Sequence, residues 1–208
     1  MTTYDFTAAG LRAPSRSLPL PVSNAAILPS SLTQASQIIA RPGEHWRLDL
    51  TWDNASGAEL DDLIAFFTRL NGPEHRVNLK MYGQSNRGAF GGTPLVAGAS
   101  QTGNTLVADG ASSTVTGWAK ARDYISFDNQ IRMVTADVNS DGGGNLSLPI
   151  WPAIRTSPAN NDHITTSDPT GIFILASPLE AAIDSMRRTA SGENISTLTL
   201  SFVEDVTA

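Results

Sequence analysis

The sequence predicts a mainly β protein with one well-defined helix, the strands arranged as sandwich or barrel. Three observations carry this reading. Short apolar–polar alternating runs recur between turn signals along most of the chain. Gly 17 and Pro 12 stand beside a charged content of only 16%, a turn-rich composition unlike that of a helical bundle. One segment alone combines a start signal, a helical apolar period and a stop signal.

The first forty residues are punctuated by Pro14, Pro19, Pro21 and Pro29, and read as extended arms or edge strands. In Trp46-Arg47-Leu48-Asp49-Leu50-Thr51-Trp52 the alternation is strict. Trp46, Leu48, Leu50 and Trp52 therefore share the buried face of a strand. The helix follows over 57–71. Ser56 and Glu59 form a capping box, Leu60, Leu63, Ile64, Phe67 and Leu70 mark one face, and Gly72-Pro73 ends it. Val77, Leu79 and Met81 then alternate as a second strand.

Residues 83–92 hold four glycines and read as a long loop or linker. Beyond them, short strands are expected at 105–107, 114–116, 124–127, 131–138 and 146–150. Asn129-Gln130 and Asp141-Gly142-Gly143-Gly144 supply the hairpin turns. Such spacing favours a small barrel or sandwich. Pro152, Pro158 and Asn160-Asn161-Asp162 mark a second break, and strands follow at 171–175 and 196–203. Between those two strands the signals conflict. Ser177-Pro178-Leu179-Glu180 looks like a capping box with proline at the first helical position, and Ala182, Ile183 and Met186 continue a helical spacing. Yet Leu179, Ala181 and Ile183 also alternate.

Composition excludes several function classes. A chain of 208 residues buries roughly 70% of its unfolded surface and needs no staple. It has no cysteine, hence no disulfide, thiolate nucleophile or cysteine-ligated zinc. A net charge of −6 argues against a phosphate-gripping surface. No apolar run approaches the roughly 20 residues of a membrane span. Met1-Thr2-Thr3-Tyr4-Asp5 lacks the marks of a signal peptide, so a soluble, unprocessed chain is expected.

The search for chemistry returns structural readings. Asp137-Val138-Asn139-Ser140-Asp141-Gly142 matches the first half of a calcium loop, but Leu148 stands where a bidentate glutamate is needed. A polar turn is the better reading. His45, His75 and His163 have no paired metal spacing. No nucleophile elbow occurs, Arg87 alone makes no phosphate cradle, and the pairs Asp61-Asp62 and Glu204-Asp205 read as solvated. The sequons at Asn54, Asn145 and Asn194 carry meaning only on a secretory route. Trp46 and Trp52 belong to a core. Trp118 and Trp151 are read as core or subunit contacts, with a glycan-stacking platform as the alternative. No catalytic, cofactor-binding or metal residue is assigned, and no enzyme activity is expected.

Several segments together resemble one family. The strand 46–52 and the helix end Phe66-Phe67-Thr68-Arg69-Leu70-Asn71-Gly72 are similar to small tail proteins of long-tailed (siphovirus-like) bacteriophages. So are Arg87-Gly88, Val96-Ala97-Gly98-Ala99-Ser100-Gln101-Thr102-Gly103, Asp123-Tyr124-Ile125-Ser126-Phe127 and Ile131-Arg132-Met133-Val134. The likeness extends through Leu148-Pro149-Ile150-Trp151-Pro152-Ala153-Ile154-Arg155 to Leu200-Ser201-Phe202-Val203-Glu204, and spans about 46–204. Arg122 departs from it, standing where such proteins commonly carry a glycine-containing turn. The resemblance implies a distal tail or baseplate protein, a virion ring subunit joining tail tube to tail tip. It implies a discontinuous ring-forming β domain, 1–88 plus 156–208, with 89–155 inserted as a small OB-like barrel. The implied partners are further copies, most simply in a hexamer, the tube protein and the hub or tip proteins. DNA would be only cargo in the lumen, which an acidic balance suits. No membrane and no cofactor are implied. The family usually has a strand near 177–188, paired with the final strand through a turn at 191–194, and we adopt the strand there. A carbohydrate-binding module for host glycans is the alternative function.

Overall fold

The computed structural model describes residues 1–29, 35–41, 43–55, 57–184 and 196–206. In chain order these form β1 (Thr3–Asp5), β2 (Arg16–Val22), β3 (Ala25–Pro29), β4 (Ser36–Ala40), β5 (His45–Ala55), α1 (Gly57–Thr68) and β6 (Arg76–Lys80). They continue as β7 (Gly92–Val96), β8 (Gly103–Ala111), β9 (Tyr124–Phe127), β10 (Gln130–Val134), β11 (Leu146–Ile154), β12 (Thr170–Leu175), α2 (Leu179–Asp184) and β13 (Ser196–Glu204). The protein is mainly β with one substantial helix, as the sequence predicts.

One sheet has the order β1-β6-β12-β13-β5-β2. All its pairs are antiparallel except β1 with β6. The alternation in β5 buries Trp46, Leu48, Leu50 and Trp52, and the facing positions of β13 bury Leu198, Leu200 and Phe202. α1 covers this apolar face with Leu60, Leu63, Phe66 and Phe67. Its last turn tightens, with Arg69 and Leu70 donating to the carbonyls three residues back, and Gly72 follows at φ 65°. Ser56, the expected cap, lies outside the described residues. Its proposed partner Glu59 forms an ion pair with Arg12, whose guanidinium also donates to the carbonyls of Asp53 and Asn54. The N-terminal arm thus clamps the β5–α1 corner. Phe6 completes this core, its ring stacked 5.6 Å from Phe67 and edge-on to Phe66, Trp52 and Tyr82.

The second sheet, β7-β8-β11-β10-β9, is open in its strand order, but a bridging segment joins its two edges. Val96 N–H donates to Asp162 O and Ile164 N–H to Pro94 O on the β7 side. On the β9 side Thr165 and Ser126 exchange both backbone hydrogen bonds. Ile164, fully buried, points into the enclosed core with Val96, Leu106, Trp118, Ile125 and Leu148. The chain therefore stays with this sheet past residue 155, the boundary drawn from Pro152 and Pro158. A break in periodicity marks the end of a strand, whereas backbone pairing decides where the segment lies.

Three local expectations are corrected. Residues 114–116 are a turn, with Thr114 at φ 57°; the neighbouring amides of Val115 and Gly117 are held by the side chains of Ser140 and Asn139 rather than by a ladder. The β9–β10 turn is Asp128-Asn129, not Asn129-Gln130. Both have positive φ, 49° and 57°, as the favoured two-residue hairpin turn requires. Most consequentially, 179–184 is the helix α2 and not a strand. β13 is already paired on one side by β12 and on the other by β5, so no edge is open to 179–183. Nor does Ser177 act as the expected cap: its hydroxyl accepts the Ser201 N–H of β13. Met186 and the expected turn at 191–194 lie outside the described residues.

Phe67 has no exposed surface and touches the rings of Phe6, Trp52, Phe66 and Phe202. Phe67→Ala is expected to lower unfolding free energy by about 3–5 kcal/mol, read from urea denaturation. A loss below about 1 kcal/mol would contradict the packing of α1 on the sheet.

Candidate functional site

The calcium-like run is a hydrogen-bonded loop. Asp137 accepts from Ala121 N–H and from Lys120 Nζ, and Asn139 accepts from Gly117 N–H. Asp141 accepts from the amides of Gly143 and Asn145 and from Asn145 Nδ2. These bonds hold the Asp137 and Asp141 carboxyls below the ordinary aspartate range, the leading causes being the Ala121 amide and the Asn145 side chain respectively. All three side chains at the ligand positions already serve the backbone. Among the described residues no group of three or more acidic or histidine side chains could hold a metal ion. His45, His75 and His163 are not brought together: His45 Nδ1 bonds to Gly43 O, His75 lies against Tyr4, and His163 sits on the bridging segment.

Trp118 is fully buried and donates its indole N–H to Gly91 O. Trp151 is half-buried, edge-on to Trp46 at 4.6 Å. Neither Asn54 nor Asn145 stands apart from the fold. Asn54 takes φ 53° at the β5–α1 corner, Asn145 ties down Asp141, and Asn194 lies outside the described residues.

Asp61 and Asp62 are exposed as expected, but Glu204 and Asp205 are corrected: both are buried, at 3% exposure. Their counterions come from distant segments. Asp205 pairs with Arg76 of β6, and Glu204 with Arg132 of β10 at 3.5 Å. Glu204 also accepts the Trp46 amide proton at 3.1 Å. Burial pushes the Glu204 carboxyl above the usual range and Arg132 below it, each partly offset by the other's charge. Gln130 bonds Arg132, and the guanidinium lies 5.6 Å from the Phe127 ring. Trp46 donates its indole N–H to Ile131 O across the same junction.

A second junction was equally silent in the sequence. Asp123, with no exposed surface, accepts the amide protons of Arg87, Gly88 and Lys120. Gly88 is required there, since a Cβ would stand 2.4 Å from Trp118 O. Arg122 adopts φ 72°, a conformation glycine reaches without steric cost. Asn86 bonds both backbone groups of Tyr124 and the carbonyl of Thr166. The adjoining pocket of about 380 Å³ is lined in part by Asn86 and by the Lys80–Asp168 ion pair.

Among the described residues, two apolar surfaces stand open. There β3 and β4 pair with each other alone and leave Ile27, Leu28 and Ile38 exposed by 66%, 51% and 69%. No residue from 17 to 40 is charged. Elsewhere, a groove of about 690 Å³ lies between the end of α1, the start of α2 and the C-terminal ends of β12 and β13. Phe67, Pro73, Leu175, Leu179 and Val203 line it, and among the described residues its one charged group is Glu180.

Comparison of the chain with protein-family models and with curated protein sequences finds no match.

Two outcomes follow from this geometry. Calcium or a chelator should leave the melting temperature unchanged; a rise of several degrees on adding calcium would reject the loop reading. Arg132→Met leaves Glu204 buried without its counterion and should cost about 3–5 kcal/mol at neutral pH. It also raises the Glu204 pKa further in the folded state alone. A carboxyl so raised favours folding when protonated and loses that contribution as pH climbs from the ordinary glutamate range through the raised value. The deficit of Arg132→Met against the parent should therefore shrink between pH 7.5 and pH 4.5 in urea melts. A deficit independent of pH would contradict the pairing.

Proposed function

We propose that this chain is a structural subunit of a bacteriophage tail tip, a distal tail or baseplate ring component joining the tail tube to the tip. The observation that carries the reading is the uncharged β3–β4 ribbon. A two-stranded hairpin is at best marginal alone in water, and this one exposes its largest aliphatic side chains. Such a ribbon suits a chain that completes its packing against neighbours. Pro19 and Pro21 in the edge strand β2 blunt indiscriminate strand pairing, so association falls to specific contacts.

The segments that resemble tail proteins support the same reading, because they supply the two cores. Residues 46–52 form most of β5, 66–67 the buried end of α1, and 124–127, 131–134 and 148–154 the strands of the second sheet. The role is structural rather than catalytic: the buried charges of Glu204 and Arg132 are enclosed by protein and face each other. A net charge of −6 suits a lumen through which DNA slides without being gripped. The partners on this reading are further copies in a ring, most simply six, with the tube protein on one side and hub or tip proteins on the other. The site of action is the distal end of the virion tail.

The purified chain is expected to show the mass of a ring, six copies on the simplest reading, by light scattering, with rings in negative-stain micrographs. A monomer at every concentration up to the millimolar range would overturn self-assembly.

A further inference from the structure

We propose that the β3–β4 ribbon of one copy seats in the apolar groove between α1, α2 and β13 of the next copy. The inference rests on the self-assembling role above and names the contact that builds it. The ribbon offers Ile27, Leu28 and Ile38 to solvent, and none of the three belongs to either hydrophobic core. The groove offers Pro73, Ile174, Leu179 and Val203, each at least partly exposed, over the buried Phe67 and Leu175.

Charge selects the occupant. A nucleic acid or an acidic or basic peptide would find no counterion along residues 17–40. A lipid surface is matched by aromatic and basic anchors around an apolar tip, and no Trp, Tyr, Lys or Arg occurs in that stretch. Among the described residues the groove mirrors this neutrality: its one charged lining residue there, Glu180, has a cationic counterpart in Arg41 at the base of the ribbon. The size is also apt. A stable interface takes about 20–30 residues a side, more than the ribbon alone supplies. The ribbon is thus an anchor that fixes register, and the bodies it brings together add the remaining area. Because donor and acceptor are different surfaces of one chain, the contact is head-to-tail, and repetition closes a ring or extends a filament.

The absence of cysteine makes the test direct. Ile38→Cys and Ala176→Cys are prepared as separate proteins, Ala176 being an exposed residue on the groove. They are mixed, allowed to exchange subunits and treated with a short thiol cross-linker. The mixture should give a cross-linked dimer at least about tenfold above either variant alone, as a high local concentration in the seated ribbon requires. In parallel, Ile38→Asp should weaken assembly on the order of 10- to 100-fold, the factor for one lost aliphatic contact. Its melting temperature as a monomer should not change, since the side chain lies outside both cores. Oligomers that persist without preferential cross-linking in the mixture would overturn the ribbon–groove contact and leave self-assembly standing. A parent chain that stays monomeric would overturn both. Sedimentation of the parent with neutral phosphatidylcholine vesicles, abolished by Ile38→Asp, would assign the ribbon to lipid and overturn the second-copy occupant.

Discussion

A carboxylate at the end of β13 accepts the Trp46 amide proton of β5 and stands 3.5 Å from a guanidinium carried by β10. Strands of both sheets therefore meet on Glu204. Taking two charges out of water costs several kcal/mol per ion, which the pair recovers only where geometry and further hydrogen bonds are good. The surroundings supply part of these: Gln130 and the Ile131 carbonyl for Arg132, the Trp46 amide for Glu204, while Arg132 Nε and Glu204 Oε1 have no hydrogen-bond partner among the described residues. Displacing β10 relative to β13 would leave a buried charge uncompensated. The pair thus fixes orientation more than it adds stability, and Trp46, Tyr124, Ile131 and Trp151 pack about the same point.

The long connections rely on the same economy of buried polar groups. Asp123 gathers three amides from two loops, and Asn86 three backbone groups, two of Tyr124 in β9 and the Thr166 carbonyl beside the bridging segment. Buried loops without a ladder must satisfy their backbone in this way. The glycine-rich stretch 83–92 is accordingly held in place by side-chain acceptors, and it carries the chain from one sheet to the other.

The N-terminal segment shows the opposite physics. Tyr4, Phe6 and Arg12 bind it to the body through ring contacts, an ion pair and carbonyl hydrogen bonds. From Ser17 to Ala40 charge disappears, and the chain leaves the body as a ribbon with its aliphatic side chains outward. The first segment is held by many internal contacts, while Ile27, Leu28 and Ile38 of the ribbon stand open to solvent.

The sequence by itself determined whatever depends on near neighbours. The strict alternation of 46–52 specifies a strand with a buried face, and the period of Leu60, Leu63 and Phe67 specifies α1, because each pattern encodes its own geometry. Ser177-Pro178-Leu179-Glu180 likewise signals α2; the strand expected from resemblance failed because β5 and β12 occupy both edges of β13. Tertiary structure decided the strand order, the closure of the second sheet by 162–165 and the burial of Glu204 and Asp205. Nothing in Val203-Glu204-Asp205 distinguishes a solvated acidic end from a buried one. The difference lies in Arg132 and Arg76, 72 and 129 positions away by the numbering, which only folding brings within reach. Exposure of Ile27 and Ile38 was hidden for the same reason: the sequence shows only short apolar runs, and the folded chain shows that, among the described residues, these side chains stand open to solvent.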